Sequence, residues 1–221
     1  MIERPGSGTP VARYVDAVTA GDTRGAHAIV AELVESGADP RTICLEVLGP
    51  ALRAVGDLWQ LGRASVAQEH LATAVTQAQM AWLAPRMMET SPSVAHGPAR
   101  EVILSGTPGE LHAVGLRMVA DFLASDGWSV IELGAATPAD DLVALVATRC
   151  PAVVGLSTAL TTHLPEVRAL VARLHALPTS PTVMVGGAAY GDYEDLARRI
   201  GADLFARDAG AASAVLRACF P

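Results

Sequence analysis

The chain of 221 residues contains no lysine; all sixteen of its basic residues are arginine. That absence removes Schiff-base chemistry, which needs a lysine amine, and the phosphate-loop lysine of nucleotide hydrolases. The ordinary source of such a bias is genome composition rather than function. Cysteine is scarce too. Cys44, Cys150 and Cys219 are far apart, odd in number and never in Cys-x-x-Cys spacing, so they read as reduced, packed thiols rather than as a disulfide or zinc set. Hydrophobic residues make up 51% of the chain and charged residues 18%. Even so, no uninterrupted apolar run approaches the roughly 20 residues of a membrane-spanning helix. The opening Met1-Ile2-Glu3-Arg4-Pro5-Gly6 has no basic stretch leading into an apolar one, so the expected location is the cytoplasm, with no membrane partner. With a net charge of −7 and scattered arginines, the chain lacks a clustered basic face for phosphates, and direct binding to nucleic acid is not expected.

What is present falls into two parts. Pro10 to Ala20, Asp22 to Ser36, Asp39 to about Trp59 and Ser65 to about Met88 carry apolar residues at helical spacing, separated by Gly21-Asp22, Gly37-Ala38 and Gly62. Ser65 followed by Gln68 is a capping-box pattern, which starts the fourth helix at Ser65. From Glu101 onward strand and helix patterns alternate. Strands read at Glu101–Ser105, Ser129–Leu133, Ala152–Leu156, Thr182–Val185 and Leu204–Ala206. Between the halves, Glu89 to Pro98 is rich in proline and small polar residues, as linkers are. The expected fold class is α/β plus all-α. It comprises a four-helix bundle over 10–90 and a flavodoxin-like, doubly wound, five-stranded parallel sheet over 99–221. Its strand order would be 2-1-3-4-5, with the ligand crevice at the carboxyl ends of strands one and three.

The residues that carry chemistry cluster at that crevice. After the first strand the chain runs Ser105-Gly106-Thr107-Pro108-Gly109-Glu110-Leu111-His112-Ala113-Val114-Gly115, a loop leading into a helix, with His112 exposed. After the third strand comes Ser157-Thr158-Ala159-Leu160, and after the fourth Gly186-Gly187. Small residues at all three strand ends predict a narrow crevice lined by backbone, in which the paired glycines let a flat group approach the main chain. No glycine-rich dinucleotide fingerprint follows the first strand, so a nucleotide-binding flavodoxin-like domain has little support.

The spacing is specific. Glu110-x-His112-x-x-Gly115 is followed by 41 residues (116–156), then Ser157-Thr158-Ala159, then 26 residues (160–185), then Gly186-Gly187. This resembles the cobalamin-binding fold of methionine synthase, the carbon-skeleton mutases and the corrinoid methyl carriers. Their pattern is Asp-x-His-x-x-Gly, Ser-x-Leu and Gly-Gly at the same separations. Glu110 is one methylene longer than the usual Asp, and Ala159 replaces the usual Leu. By that resemblance His112 is the lower ligand to cobalt, in place of the cofactor's own benzimidazole. The displaced tail would enter the slot beside Ser157, Ala159, Leu160, Gly186 and Gly187, with Ser157 bonding it. Glu110 would accept the other imidazole N–H of His112, and Leu111, Ala113 and Gly115 would line the same cofactor-binding loop.

The first half supplies a helical cap of the size those families carry above cobalt. Trp59, nine residues, then Glu69-His70 resembles the cap signature of CarH-type cobalamin photoreceptors and their relatives without DNA-binding domains. Val66, Glu69 and His70 share a helix face at i, i+3, i+4. By resemblance Trp59 packs on an adenosyl group, Glu69 bonds its ribose or base, Val66 and His70 complete the pocket, and light cleaves the cobalt–carbon bond. A flat apolar ring with one buried carboxylate suits a nucleoside. The bland alternative makes Trp59 bundle core and Glu69 an exposed first-turn acid favoured by the helix dipole. Gln60 stands where the photoreceptors carry a His that takes cobalt after light. His27, His96, His163 and His175 read as surface or structural residues.

Two functions remain open. One is a light sensor, not an enzyme, with adenosylcobalamin as cofactor. No helix-turn-helix segment is recognisable before Pro10, so its signal would pass to a partner protein such as a transcription regulator, or through homo-oligomerisation. The other is a corrinoid methyl carrier serving methyltransferases, in which methylcobalamin or hydroxocobalamin takes the place of the adenosyl form.

Overall fold

A computed structural model describes residues 8–90 and 100–221, so His96 and the expected linker beyond Thr90 lie outside the described residues. The chain divides into two compact units, one ending at Thr90 and one beginning after it.

The first unit is helical throughout: α1 (Pro10–Thr19), α2 (Thr23–Glu35), a rod made of α3 (Pro40–Ile43), a π-turn (Cys44–Leu48) and α4 (Gly49–Gln60), and α5 (Val66–Thr90). Side chains cap the starts of the first three rods. Thr9, Asp22 and Asp39 accept from Ala12, Gly25 and Thr42 respectively, meeting orphan N–H groups of each first turn. The four rods bury one apolar interior that includes Tyr14, Ile43, Leu48, Met80 and Leu83. Inside it the Tyr14 hydroxyl is paired with Thr76 Oγ1 at 3.2 Å. The third rod is not the uninterrupted α-helix that its periodicity predicts. Pro50 has no N–H to offer Glu46, and just before it the ladder widens so that Gly49 N bonds Cys44 O.

The second unit is a five-stranded parallel sheet in the order β2-β1-β3-β4-β5, as the alternating pattern predicts. Its strands are β1 (Glu101–Gly106), β2 (Ser129–Glu132), β3 (Val153–Ser157), β4 (Thr182–Gly186) and β5 (Leu204–Ala206). Between and after them run α6 (Val114–Ser125), α7 (Ala139–Arg149), α8 (Leu164–His175), α9 (Glu194–Ile200) and α10 (Ala209–Cys219). Alternate strand residues face opposite layers. Ile103, Val154, Leu156, Val183 and Val185 pack under α7, α8 and α9, whereas Val102, Leu104, Val153 and Met184 pack under α6 and α10. Both faces are therefore covered, and the sheet presents its ligand-competent edge at the carboxyl ends of its strands. The register Gly106↔Ser157↔Gly186 aligns the last residues of β1, β3 and β4 side by side.

Candidate functional site

Backbone hydrogen bonds stitch the loops at these strand ends. Thr107 N donates to Ser157 O (3.1 Å), Thr158 N to Gly186 O (2.9 Å) and Ala189 N to Thr158 O (3.1 Å). Ala136 N, in the loop after β2, donates to Glu110 O (2.9 Å). The paired glycines serve this stitching. A Cβ on Gly186 would lie 2.3 Å from Ala206 O, and one on Gly187, whose φ is +105°, would lie 2.3 Å from Thr158 O. Their small size thus lets neighbouring backbones approach one another. That packing is a second reason for small residues here, beside the expected approach of a flat group to the main chain. Gly115, in the first turn of α6, is open by contrast: an added Cβ there would meet nothing within 4 Å.

Glu110 is the hub of the site. It is fully buried, and Oε1 accepts from His112 N (3.0 Å) and from His112 Nδ1 (2.5 Å). Oε2 accepts from Ala159 N (2.7 Å), Leu160 N (3.2 Å) and His163 Nδ1 (3.3 Å). Burial by itself would push this carboxyl up. The donors, led by the His112 ring and followed by the backbone N–H groups of His112, Ala159 and Leu160, outweigh burial and hold it down at about 2. A carboxylate can only accept, so Nδ1 of His112 carries a proton, and in the neutral ring the lone pair is then on Nε2. The ring itself is exposed, just before α6, with Nδ1 committed to the buried Glu110.

The other expected residues of this unit surround that imidazole. Leu111 is 76% exposed and Leu160 47%, large apolar groups left uncovered on the two loops that Glu110 ties together. Ala113 precedes the first turn of α6, Ser157 ends β3 half-buried, and Ala159 contributes its N–H to Glu110. Thr107 Oγ1 is buried and has no hydrogen-bond partner among the described residues. His163, which by sequence reads as a surface or structural residue, joins this cluster through Glu110. Among the described residues no three of His, Cys, Asp and Glu stand together to cage a bare ion. One exposed, tautomer-fixed imidazole beside apolar rims instead suits a metal that arrives already chelated by a large apolar ring. The residues present therefore fit a corrinoid.

In the helical unit, α4 ends in a Schellman turn: Gly62 at φ +66°, Gly62 N to Trp59 O (2.9 Å) and Arg63 N to Leu58 O (2.8 Å). The next helix opens with the full capping box, Gln68 N to Ser65 Oγ (3.2 Å) and Ser65 N to Gln68 Oε1 (3.0 Å). These two caps fix Trp59 and Val66 on either side of one tight turn. Trp59 is 46% exposed and Val66 53%, so Trp59 is not bundle core, and the bland alternative fails for it. Glu69 is held by Thr73 Oγ1 (3.0 Å) and pairs with His70 Nδ1 (2.6 Å). Its side chain keeps 30% of its surface, so it is less buried than the expectation of a buried carboxylate; the His70 side chain is 75% exposed.

Comparison with known proteins places both units. Residues 11–84 and 100–216 each match a family model described as a B12 binding domain. The chain is 35% identical over 161 residues to the HTH-type transcriptional repressor CarH of Myxococcus xanthus, covering 72% of this chain but only 52% of that protein. It is 31% identical over 179 residues to dimethylamine corrinoid protein 1 of Methanosarcina acetivorans, covering 80% of this chain and 81% of that one. The monomethylamine corrinoid protein of Methanosarcina barkeri shares the fold, with a TM-score of 0.83 at 22% identity over 97% of this chain and all of that one.

Proposed function

This chain belongs to the B12-binding family and binds cobalamin, and from that premise we propose that it is a light-responsive cobalamin sensor in which His112 is the lower ligand to cobalt. The observation that carries the ligand assignment is the exposed His112 ring, whose Nδ1 is committed to a buried, charged Glu110. Glu110 sets the tautomer and the ring's orientation, and Ala159 and Leu160 hold Glu110. Leu111, Ala113, Gly115 and Leu160 line the corrin side, while Ser157, Gly186 and Gly187 border the cofactor's tail.

The helical unit supplies the rest. Trp59 offers an exposed flat ring to the adenosyl group, Val66 extends that apolar surface, Glu69 accepts from the sugar or base, and His70 orients Glu69. Adenosylcobalamin contributes a cobalt–carbon bond that light can break. With the adenosyl group lost, Trp59 and Val66 would be left uncovered, and that change of surface would be the signal, read by a partner protein such as a transcription regulator or by a second copy of the chain. The chain is then a regulator and not a catalyst. The similarity to the CarH repressor over 161 residues supports this reading.

A second reading, a corrinoid methyl carrier serving a methyltransferase, is favoured by the near full-length correspondence with the methylamine corrinoid proteins. One experiment separates the two. The protein is loaded with adenosylcobalamin in darkness and illuminated while absorption spectrum and solution mass are followed together. The sensor reading expects both to change with light. If neither changes, and methylcobalamin-loaded protein passes its methyl group to a thiol acceptor in the presence of a methyltransferase, the carrier reading replaces it.

A further inference from the structure

Three backbone N–H groups already fix the Glu110 carboxylate: His112 N on Oε1, and Ala159 N and Leu160 N on Oε2. Such a group needs no further partner to stay in place. Yet a second imidazole reaches it. His163 lies in the short 3-10 turn between β3 and α8, is four-fifths buried, and puts Nδ1 3.3 Å from Oε2, 53 residues along the chain from Glu110. The ring also backs onto the turn that carries Glu110: a Cβ on Gly109 would lie 3.5 Å from its Nε2. Because the carboxylate only accepts, Nδ1 of His163 carries its proton, just as Nδ1 of His112 does. Two imidazoles therefore donate to the two oxygens of one buried anion.

We propose that His163 tunes the cobalt ligand through Glu110, taking up part of the carboxylate's charge and so weakening the donor strength of His112 Nε2. The inference rests on His112 being the lower ligand. Hydrogen bonds to one anion compete, because each donor spreads its charge; a carboxylate with fewer donors pulls harder on those that remain. A harder pull on Nδ1–H makes the imidazole a more basic ligand. His163 acts here through Glu110 alone and is a positioning residue. At 3.3 Å its bond is long, so its effect is smaller than that of Glu110 itself.

The test uses the full chain, made with histidine carrying the heavy nitrogen isotope and loaded with cob(II)alamin. An axial imidazole from the labelled protein splits the cobalt paramagnetic resonance lines into doublets, whereas the cofactor's own unlabelled benzimidazole gives triplets. Doublets are expected for the wild type. H163L should keep the doublets with a larger nitrogen splitting, and its Co(II)/Co(I) midpoint potential should be more negative than that of the wild type. H163A serves if leucine disturbs the turn. H163N, whose side-chain N–H can reach the same oxygen, should return both quantities toward wild type. Doublets with unshifted splitting and potential in H163L and H163A, or equal values for the leucine and asparagine variants, overturn the tuning role alone. Triplets in the wild type overturn His112 as ligand and the tuning role with it.

Discussion

The two carboxylate–histidine pairs of this chain have almost the same length and very different surroundings. His112 Nδ1 lies 2.5 Å from Glu110, and His70 Nδ1 lies 2.6 Å from Glu69. Glu110 is fully buried among backbone donors from two loops. Glu69 stands on the surface of a helix and receives, besides His70, one hydroxyl. A carboxylate whose acceptor sites are filled is a fixed part of the frame. One with lone pairs to spare can still accept from a ligand's hydroxyls or amine. The α/β unit thus holds a pair whose carboxylate is already saturated with donors, and the helical unit holds one with acceptor capacity to spare.

The rigid side of this contrast breaks most severely in its backbone frame. Gly187→Ala places a Cβ against Thr158 O in a left-handed conformation and should destabilise the second unit by about 3 kcal/mol. Urea unfolding of the apo-protein measures this; an unchanged midpoint would mean that the strand-end frame yields easily and the Glu110 pair is not prebuilt.

Next in size is the pair itself. Glu110→Ala removes the acceptor for His112, Ala159 and Leu160 together, and cobalamin affinity should fall about 10–100-fold, as measured by equilibrium titration. Glu110 also has a pH signature. Its folded-state carboxyl sits near 2 against an ordinary 4.5, so the stability that it contributes is present above pH 4.5 and is lost as pH falls toward 2. Glu110→Gln should therefore be less stable than wild type at pH 6, and the gap should close across that acid window. A gap that is independent of pH would show that charge on Glu110 plays no part.

How much of this was legible before the structure follows the same divide. The strands announce themselves as short apolar runs over 101–105, 152–156 and 182–185, each one residue short of the structure's Gly106, Ser157 and Gly186; the strand order follows as the usual one for five such units, and resemblance to the cobalamin-binding fold ties His112 to both glycines. His163 could not be found that way, because its meaning depends on a loop closing onto Glu110 from 53 residues away. Its one local clue is its place six residues after Ser157, in the turn that leads from β3 into α8. The π-turn at Cys44–Leu48 was hidden because apolar periodicity hardly changes when one residue is added to one turn, and only Pro50 hints at it. The glycine pair could be found, but not its packing against Ala206 O and Thr158 O, since sequence shows that a residue is small and not which backbone presses against it.

The smallest effects belong to the open side, and they sharpen the contrast most. Glu69→Gln and Trp59→Ala alter groups that the apo-protein leaves partly exposed, so each should shift apo-protein stability by no more than about 0.5 kcal/mol. Their effect should surface only with cofactor bound, as a loss of preference for adenosylcobalamin over methylcobalamin, because a bare methyl group uses neither a flat ring nor a hydrogen-bond acceptor. Paired titrations with the two cofactors in darkness measure that preference. If Trp59→Ala weakens both cofactors equally, the ring serves the corrin itself, and the carrier reading gains at the expense of the sensor. If instead it costs several kcal/mol in the apo-protein, Trp59 is structural despite its exposure, and the helical unit is as prebuilt as the sheet.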